Sequence, residues 1–350
     1  MQVTALVVNW NGAAQLGACL DALLGQDHDG LEVVVVDNAS ADDSLDVLAP
    51  WVRDHGVRVV ANPTNRGFAG GVNDGLDASD APLVLVSNYD IRPAPDFVSR
   101  AVAALLADDR RGAVQGKLVR FTLAPNGADV IDTTGHLAFT TRLFRNRGEG
   151  QIDRGQFDDP GEVFGASGAL VLYRRAMLDD LAIPVAGRGV EVFDEDLFAY
   201  FEDVDLDWRA QRRGWTCWYE PTAVARHERG GAGVRRTPKV ERLNFANRLL
   251  VVVKHDTFRS VGRAWPGVVA TTTLKLLELL FTVPQAVPGA VSDLRRVRVM
   301  RAKRAWIDVH ATVAASEVVD RWFQPFDYLA WVRTWWGRVR GVPVGTEPPR

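Results

Sequence analysis

The chain has 350 residues and is 47% hydrophobic and 24% charged, which excludes disorder and repetitive fibres and implies one large domain with an appendage, or two domains. Its net charge of −3 conceals a segregation: residues 1–234 carry 21 Lys and Arg against 35 Asp and Glu, while 235–350 carry 20 against 9, so the acidic part and the basic tail are expected to meet different partners. Only Cys19 and Cys217 are present, which excludes a disulfide framework and a cysteine zinc site; with an apolar start that lacks a basic leader, the expected compartment is the cytoplasm.

Taken in chain order, residues 4–8 and 32–36 are β-branched runs of the kind a parallel sheet buries on both faces, and 13–24 between them has helical spacing of apolar residues. A short helix over 42–48, a strand over 57–60, a helix over 70–77 and a strand over 82–86 are expected to follow. Asn9, Asn11, Asp37, Asn38, Asn88 and Asp90 fall just past strand ends, where open α/β sheets gather their ligands. The first turn has no Gly-x-Gly-x-x-Gly and the chain has no P-loop motif, which argues against both of those nucleotide sites.

Four clusters carry candidate chemistry. In Val-Val-Asp37-Asn38-Ala-Ser40 a strand delivers a carboxylate that either accepts from the imide N–H of a pyrimidine base or closes a turn. In Asn65-Arg66-Gly67-Phe68-Ala69-Gly70-Gly71-Val72-Asn73 the glycines admit an anion to a helix start and Arg66 can offset phosphate charge, unless this is a plain glycine-rich loop with a surface arginine. Asp90, at the rigid end of an apolar strand, suits Mg2+ or Mn2+. Between 193 and 208 acids alternate with aromatics; Glu202 and Asp203 at the start of a helix over 204–213 either supply a general base or favour the helix dipole. A strand over 218–227 ends in His227, a candidate second metal ligand.

The ordered set of Asp37-Asn38-Ala39-Ser40, Asn65 to Asn73, Asn88-Tyr89-Asp90, Gly165-Ala166-Ser167-Gly168-Ala169 and Tyr200-Phe201-Glu202-Asp203 resembles family 2 glycosyltransferases of the GT-A fold, an α/β Rossmann-like mixed sheet, over about residues 1–255. The nearest branch in appearance is that of bacterial rhamnosyl- and galactofuranosyltransferases. The resemblance implies that Asp37 reads the base, that Asn65 to Asn73 line the donor pocket with Asn9 and Asn88 nearby, and that Gly165 and Ala166 belong to the floor near sugar and acceptor. It also implies that Asp90 and His227 hold a divalent cation and that Asp203 is the base. Asn88 stands where the family's metal-binding step begins with an acid. The implied reaction is inverting transfer from a nucleotide-sugar donor, dTDP-rhamnose first and UDP-galactofuranose second, to a hydroxyl of a cell-envelope glycan or lipid-linked acceptor; a catalytically silent sugar-nucleotide-binding scaffold is the reading of another class.

The tail, 256–350, is expected to be helical. Residues 266–288 are apolar but interrupted, short of a spanning helix. Arg295 to Arg304 is basic, and six of the 11 tryptophans lie at or after Trp265. Aromatic and basic amphipathic helices suit an anionic membrane surface at the inner face of the cell membrane; packing on the catalytic domain or on a second copy is the alternative. No nucleic-acid recognition module is present.

Overall fold

The computed structural model describes residues 1–229 and 237–328. Part of the aromatic tail motif, Trp331, Trp335 and Trp336 included, lies outside the described residues. The first half alternates β1 (Val3–Asn9), α1 (Ala13–Leu24), β2 (Leu31–Asp37), α2 (Ser44–His55), β3 (Arg58–Ala61), α3 (Gly67–Asp77) and β4 (Leu83–Asn88). Then come β5 (Ile91–Pro93), α4 (Phe97–Leu106), β6 (Arg111–Arg120), β7 (Ile131–Thr133), β8 (His136–Phe139), β9 (Phe144–Asn146), β10 (Gly161–Val163), β11 (Leu170–Arg174), α5 (Arg175–Asp180), β12 (Ile183–Val185) and β13 (Gly189–Glu191). The chain continues through α6 (Glu202–Arg213), β14 (Thr216–His227), α7 (Pro238–His255), α8 (Phe258–Val261), α9 (Trp265–Thr282), α10 (Val287–Asp293), α11 (Val297–His310) and α12 (Ala315–Trp322).

One mixed sheet, in the order β10-β14-β6-β11-β4-β1-β2-β3, organises the molecule. Strands β4, β1, β2 and β3 are parallel, and β11 runs antiparallel between β4 and β6. Helices cover both faces, so the central strands are apolar throughout rather than alternating. Along β1, Val3, Ala5 and Val7 pack with Leu16 and Leu20 of α1, whereas Leu6 and Val8 pack with Val72 of α3 and Leu206 of α6 on the other face. This is the two-residue period of a strand buried on both sides.

Helix α2 runs past its expected end at 48, through Pro50 to His55. Trp51 accounts for the extension: its ring lies over Gly17, where a Cβ would come within 2.9 Å of it, and its Nε1 donates to Asp21 at 2.9 Å, so packing outweighs the proline's disruption. Gly56, in the left-handed region at φ 69°, ends the helix.

The helices after residue 255 pack back on the first part. Trp208, Phe164, Leu250, Val251, Met300, Val318 and Phe323 form one buried cluster, and Trp322 Nε1 donates to Gln211 at 2.8 Å. Lys303 of α11, one of the basic residues expected on the tail surface, is 4% exposed and bonds Glu191, Asp194 and Asp196. Part of the charge segregation is thus answered within the molecule. Among the described residues no single helix is long and apolar enough to cross a membrane.

Candidate active site

Register brings the expected residues to one edge. Asn9 lies opposite Asp37 and Val8 opposite Asn88, so three strands end together. Asn9 Nδ2 donates to Asp37 Oδ1 at 2.8 Å, and Ser40 donates to the same carboxylate through its hydroxyl, 2.6 Å, and its N–H, 3.0 Å. The Asp37 loop is therefore preorganised around the carboxylate, which is 1% exposed. Next to it Asn38 donates to the Gly67 carbonyl at 2.6 Å and accepts from Asn62, which ties the Asp37 loop to the start of α3.

Gly67, at φ +74°, begins α3 three residues earlier than the expected 70. Its missing side chain lets Phe198 O approach, and Ala69 N donates to that carbonyl at 3.1 Å. Asn65 caps the turn by accepting from Gly67 N at 2.8 Å. Arg66 is engaged by protein carboxylates, Asp74 and both oxygens of Glu195, the latter at 2.8 Å, and its side chain stays 37% exposed. Asn73 spans to the same region: its amide pairs with the backbone of Phe193 in both directions at 2.9 Å.

The second part of the site joins β4, β14 and β7. Asp90 Oδ1 is buried without a well-formed hydrogen bond and faces His227 Nε2 at 3.3 Å. On the far side of the ring, His227 Nδ1 lies 2.7 Å from Asp132 Oδ2. Both ring nitrogens face carboxylates, and the shorter contact gives the hydrogen of the neutral ring to Nδ1. Burial disfavours the imidazolium, but Asp132 and Asp90 outweigh it and raise His227 to about 8. In the neutral ring the Nε2 lone pair would face the unsatisfied Asp90 oxygen, a donor pair that fits a divalent cation, with Asp132 as the orienting carboxylate behind the histidine. Asp132 is itself buried; its bond to His227 and the adjacent Arg229 overcome that burial and hold its carboxyl below the usual range. Asn88 contributes backbone here: its N–H donates to Ala169 O at 2.9 Å.

Asp132→Asn should weaken Mn2+ binding by about 10–100-fold, read by electron paramagnetic resonance of the free ion. Binding within twofold of the parent protein would show that Asp132 does not support the ligand.

A second carboxylate group, Glu191, Asp194 and Asp196, also lies close enough to hold an ion. There the Lys303 ammonium already stands among the oxygens, 2.5 Å from Asp194 and 2.8 Å from Asp196.

The third part is the segment before α6. Phe198, Tyr200 and Phe201 all have positive φ, 64°, 68° and 72°, a costly backbone for such residues. Asn247 of α7, fully buried, supports it: its Nδ2 lies 2.7–2.9 Å from the carbonyls of Leu197, Ala199 and Tyr200. The strained turn presents Glu202 and Asp203 as the first residues of α6. Burial and the adjacent Asp203 charge push Glu202 well above the ordinary carboxylate range, so it holds its proton. Asp203 stays partly open, 17% exposed, and accepts from Gly168 N at 3.1 Å and Val204 N at 2.8 Å. Gly165 and Ala166 lie beneath: Ala166 N donates to Asp207 at 3.0 Å, and a Cβ on Gly165 would overlap the Asp207 carboxyl.

The acids and aromatics between 193 and 208 therefore separate by partner. Asp205 is fully buried and bonds Arg209, Lys254 and His255, while Trp208 stacks on His255 at 4.8 Å. No local motif marks Asp132, His136, Asp207, Asn247 or Lys303 in the sequence. Asp132 is the middle residue of the short buried strand β7 and gives no local signal, and its partner His227 is 95 residues away.

The sequence model of glycosyl transferase family 2 matches residues 4–182. The succinoglycan biosynthesis protein ExoO of Rhizobium meliloti is 33% identical over 100 residues, 29% of this chain and 28% of that protein. The poly-beta-1,6-N-acetyl-D-glucosamine synthase of Staphylococcus epidermidis is 19% identical over 222 residues, 63% of this chain and 48% of the synthase; the chain thus spans less than half the length of these relatives. Among solved structures, the mannosyltransferase PcManGT of Pyrobaculum calidifontis, in complex with GDP-Man and Mn2+, aligns with a TM-score of 0.52 at 21% identity, covering 92% of this chain and 87% of that one. The mixed sheet with its strand-end site is the GT-A fold expected from sequence, and the chain belongs to glycosyl transferase family 2.

Proposed function

We propose that the chain is an inverting glycosyltransferase that moves a sugar from a nucleoside-diphosphate donor to an acceptor hydroxyl. The observation that carries this reading is the position of Asp203: it is the partly exposed carboxylate of the Glu-Asp pair, presented on a strained turn beside the Gly168 N–H. Asp203 accepts the proton of the attacking hydroxyl as the bond to the anomeric carbon forms and the sugar–phosphate bond breaks on the opposite face. Asp37 would read the base, with Asn9 fixing its carboxylate from behind. Asp90 and His227 would hold a divalent cation, Mg2+ or Mn2+, which when bound offsets charge developing on the departing diphosphate. Arg66 supports the pocket through Glu195 and Asp74.

Within this class the resemblance favours dTDP-rhamnose, with UDP-galactofuranose second, and a cell-envelope glycan or lipid-linked acceptor. A panel of sugar nucleotides, scored by thermal shift and by donor-dependent release of nucleoside diphosphate with and without Mn2+, selects among donors. Binding without release from any donor, in the presence of lipid-linked and glycan acceptors, would favour instead the silent scaffold for which Asn88 speaks.

A lipid-linked or envelope acceptor of this class would be met at the inner face of the cell membrane. Helix α9 supports this: it buries only Thr271 and Leu279, while Trp265 is 61% and Phe281 85% exposed and Val269, Leu277 and Leu280 are also exposed. The exposed Arg263, Arg295, Arg298 and Arg301 supply the charge that attracts an anionic leaflet. The full chain should float with phosphatidylglycerol vesicles, and Phe281→Ser with Trp265→Ser should reduce the bound fraction severalfold. Equal flotation of parent and double variant would end this docking face.

A further inference from the structure

We propose that His136, backed by Asp207, is a positioning residue for the Asp203 base: it turns that carboxylate toward the acceptor and supplies the positive charge that faces it. The inference rests on the reading of Asp203 as the base of glycosyl transfer.

The geometry is a carboxylate–imidazole–carboxylate line. His136, 5% exposed at the start of β8, has Nδ1 2.7 Å from Asp207 Oδ2 and Nε2 3.6 Å from Asp203 Oδ2. Each part is fixed separately. The His136 backbone N–H donates to Gly165 O at 2.8 Å, and the other Asp207 oxygen accepts from Ala166 N. The absence of a side chain on Gly165 makes room for the Asp207 carboxyl. Among the described residues His136 is the basic group within ion-pair reach of Asp203.

The groups facing the ring are Asp203 and Asp207, both from α6. Glu202 on the same helix, Tyr173 of β11 and Cys217 of β14 face those two carboxylates in turn. Burial alone would disfavour a charged ring, but the two carboxylates outweigh it and raise His136, while burial pushes Asp207 up to about 6. A positively charged ring 3.6 Å from Asp203 Oδ2 attracts that carboxylate, and removing the ring removes the attraction. The same five-residue stretch that carries His136 begins with Asp132, so one turn between β7 and β8 stands behind both the cation ligand His227 and the base.

Two measurements test this. The first is coupling between the groups, read by 15N NMR of the imidazole ring and independent of any donor. In Asp203→Asn the His136 midpoint should fall, because one of its two flanking charges is gone; an unchanged midpoint overturns the proposal. The second is the pH profile of nucleoside diphosphate release from dTDP-rhamnose or UDP-galactofuranose, whichever the full chain turns over. In His136→Gln, and in the isosteric Asp207→Asn should the first variant fold poorly, the acid limb of kcat/KM should move up by about one pH unit. The donor KM should stay within about twofold, and raising the pH should recover most of the lost rate. A uniform loss at every pH with an unmoved acid limb would mean a purely structural pair and would overturn the proposal. Asp203→Asn run in parallel separates the two readings: retained turnover in that variant removes the base assignment itself, whereas an inactive variant alongside an unmoved acid limb in His136→Gln removes only the role of His136.

Discussion

Asp203→Asn should lower glycosyl transfer by at least ~10² while nucleotide affinity stays within about twofold. The substitution keeps the shape of the side chain and leaves one oxygen to accept from Gly168 N or Val204 N, while the turn before α6 stays held by Asn247. What disappears is the capacity to take the acceptor's proton. Glu202 offers no rescue: it is 5% exposed, its Oε2 has no hydrogen-bond partner, and burial with the Asp203 charge holds it protonated. In the variant that second influence is gone but the burial remains. Single-turnover product formation read beside isothermal titration with the nucleoside diphosphate separates chemistry from binding. Turnover above about a tenth of the parent rate would remove Asp203 as the base.

What the sequence reveals and what it hides follow from the range of the interactions. Strands β1, β2 and β4 are legible because each is a short run buried on both faces, and their ends name Asn9, Asp37, Asn88 and Asp90 directly. The Glu202-Asp203 pair is legible because acids among aromatics have no place on an ordinary solvated face. Sequence does not order the acids around Asp203 by their role, since each acquires its role from a partner far along the chain: Asp205 from Lys254, Asp194 from Lys254 and Lys303, Asp207 from His136. Residues 121–159 carry no motif in sequence, yet they bring Asp132 to His227 and His136 to Asp207. Asn247, on a helix whose sequence has no marked amphipathic pattern, is silent for the same reason: its meaning is three carbonyls of a turn nearly fifty residues earlier. The basic tail was expected to face outward, and its charge count could not distinguish exposed Arg295 and Arg298 from buried Lys303.

The largest loss of stability should follow from Lys254→Met. Lys254 is fully buried and its ammonium lies 2.7 Å from Asp194 and 2.8 Å from Asp205, both of them also fully or almost fully buried. Removing one partner of a buried ion pair leaves buried charge with fewer counter-ions, which costs ~3–5 kcal/mol when no other partner remains. Arg209 and His255 still bond Asp205, and Lys303 still bonds Asp194, which places the effect toward the lower part of that range. The apolar stem of methionine keeps the volume filled, so the loss measures charge rather than a cavity. Urea denaturation should show the midpoint falling with little change in slope; a loss under ~1 kcal/mol would mean that the remaining cations suffice. The consequence reaches the site, because Asp205 lies two residues after Asp203 and Asp194 immediately precedes the Glu195 that holds Arg66. Lys254 of α7 and Lys303 of α11 converge on Asp194 from two different helices, so these helices help set the position of the turn that carries Asp203. In Lys254→Met, transfer should therefore decline at temperatures where the protein is still folded, and circular dichroism beside the rate at each temperature makes the comparison.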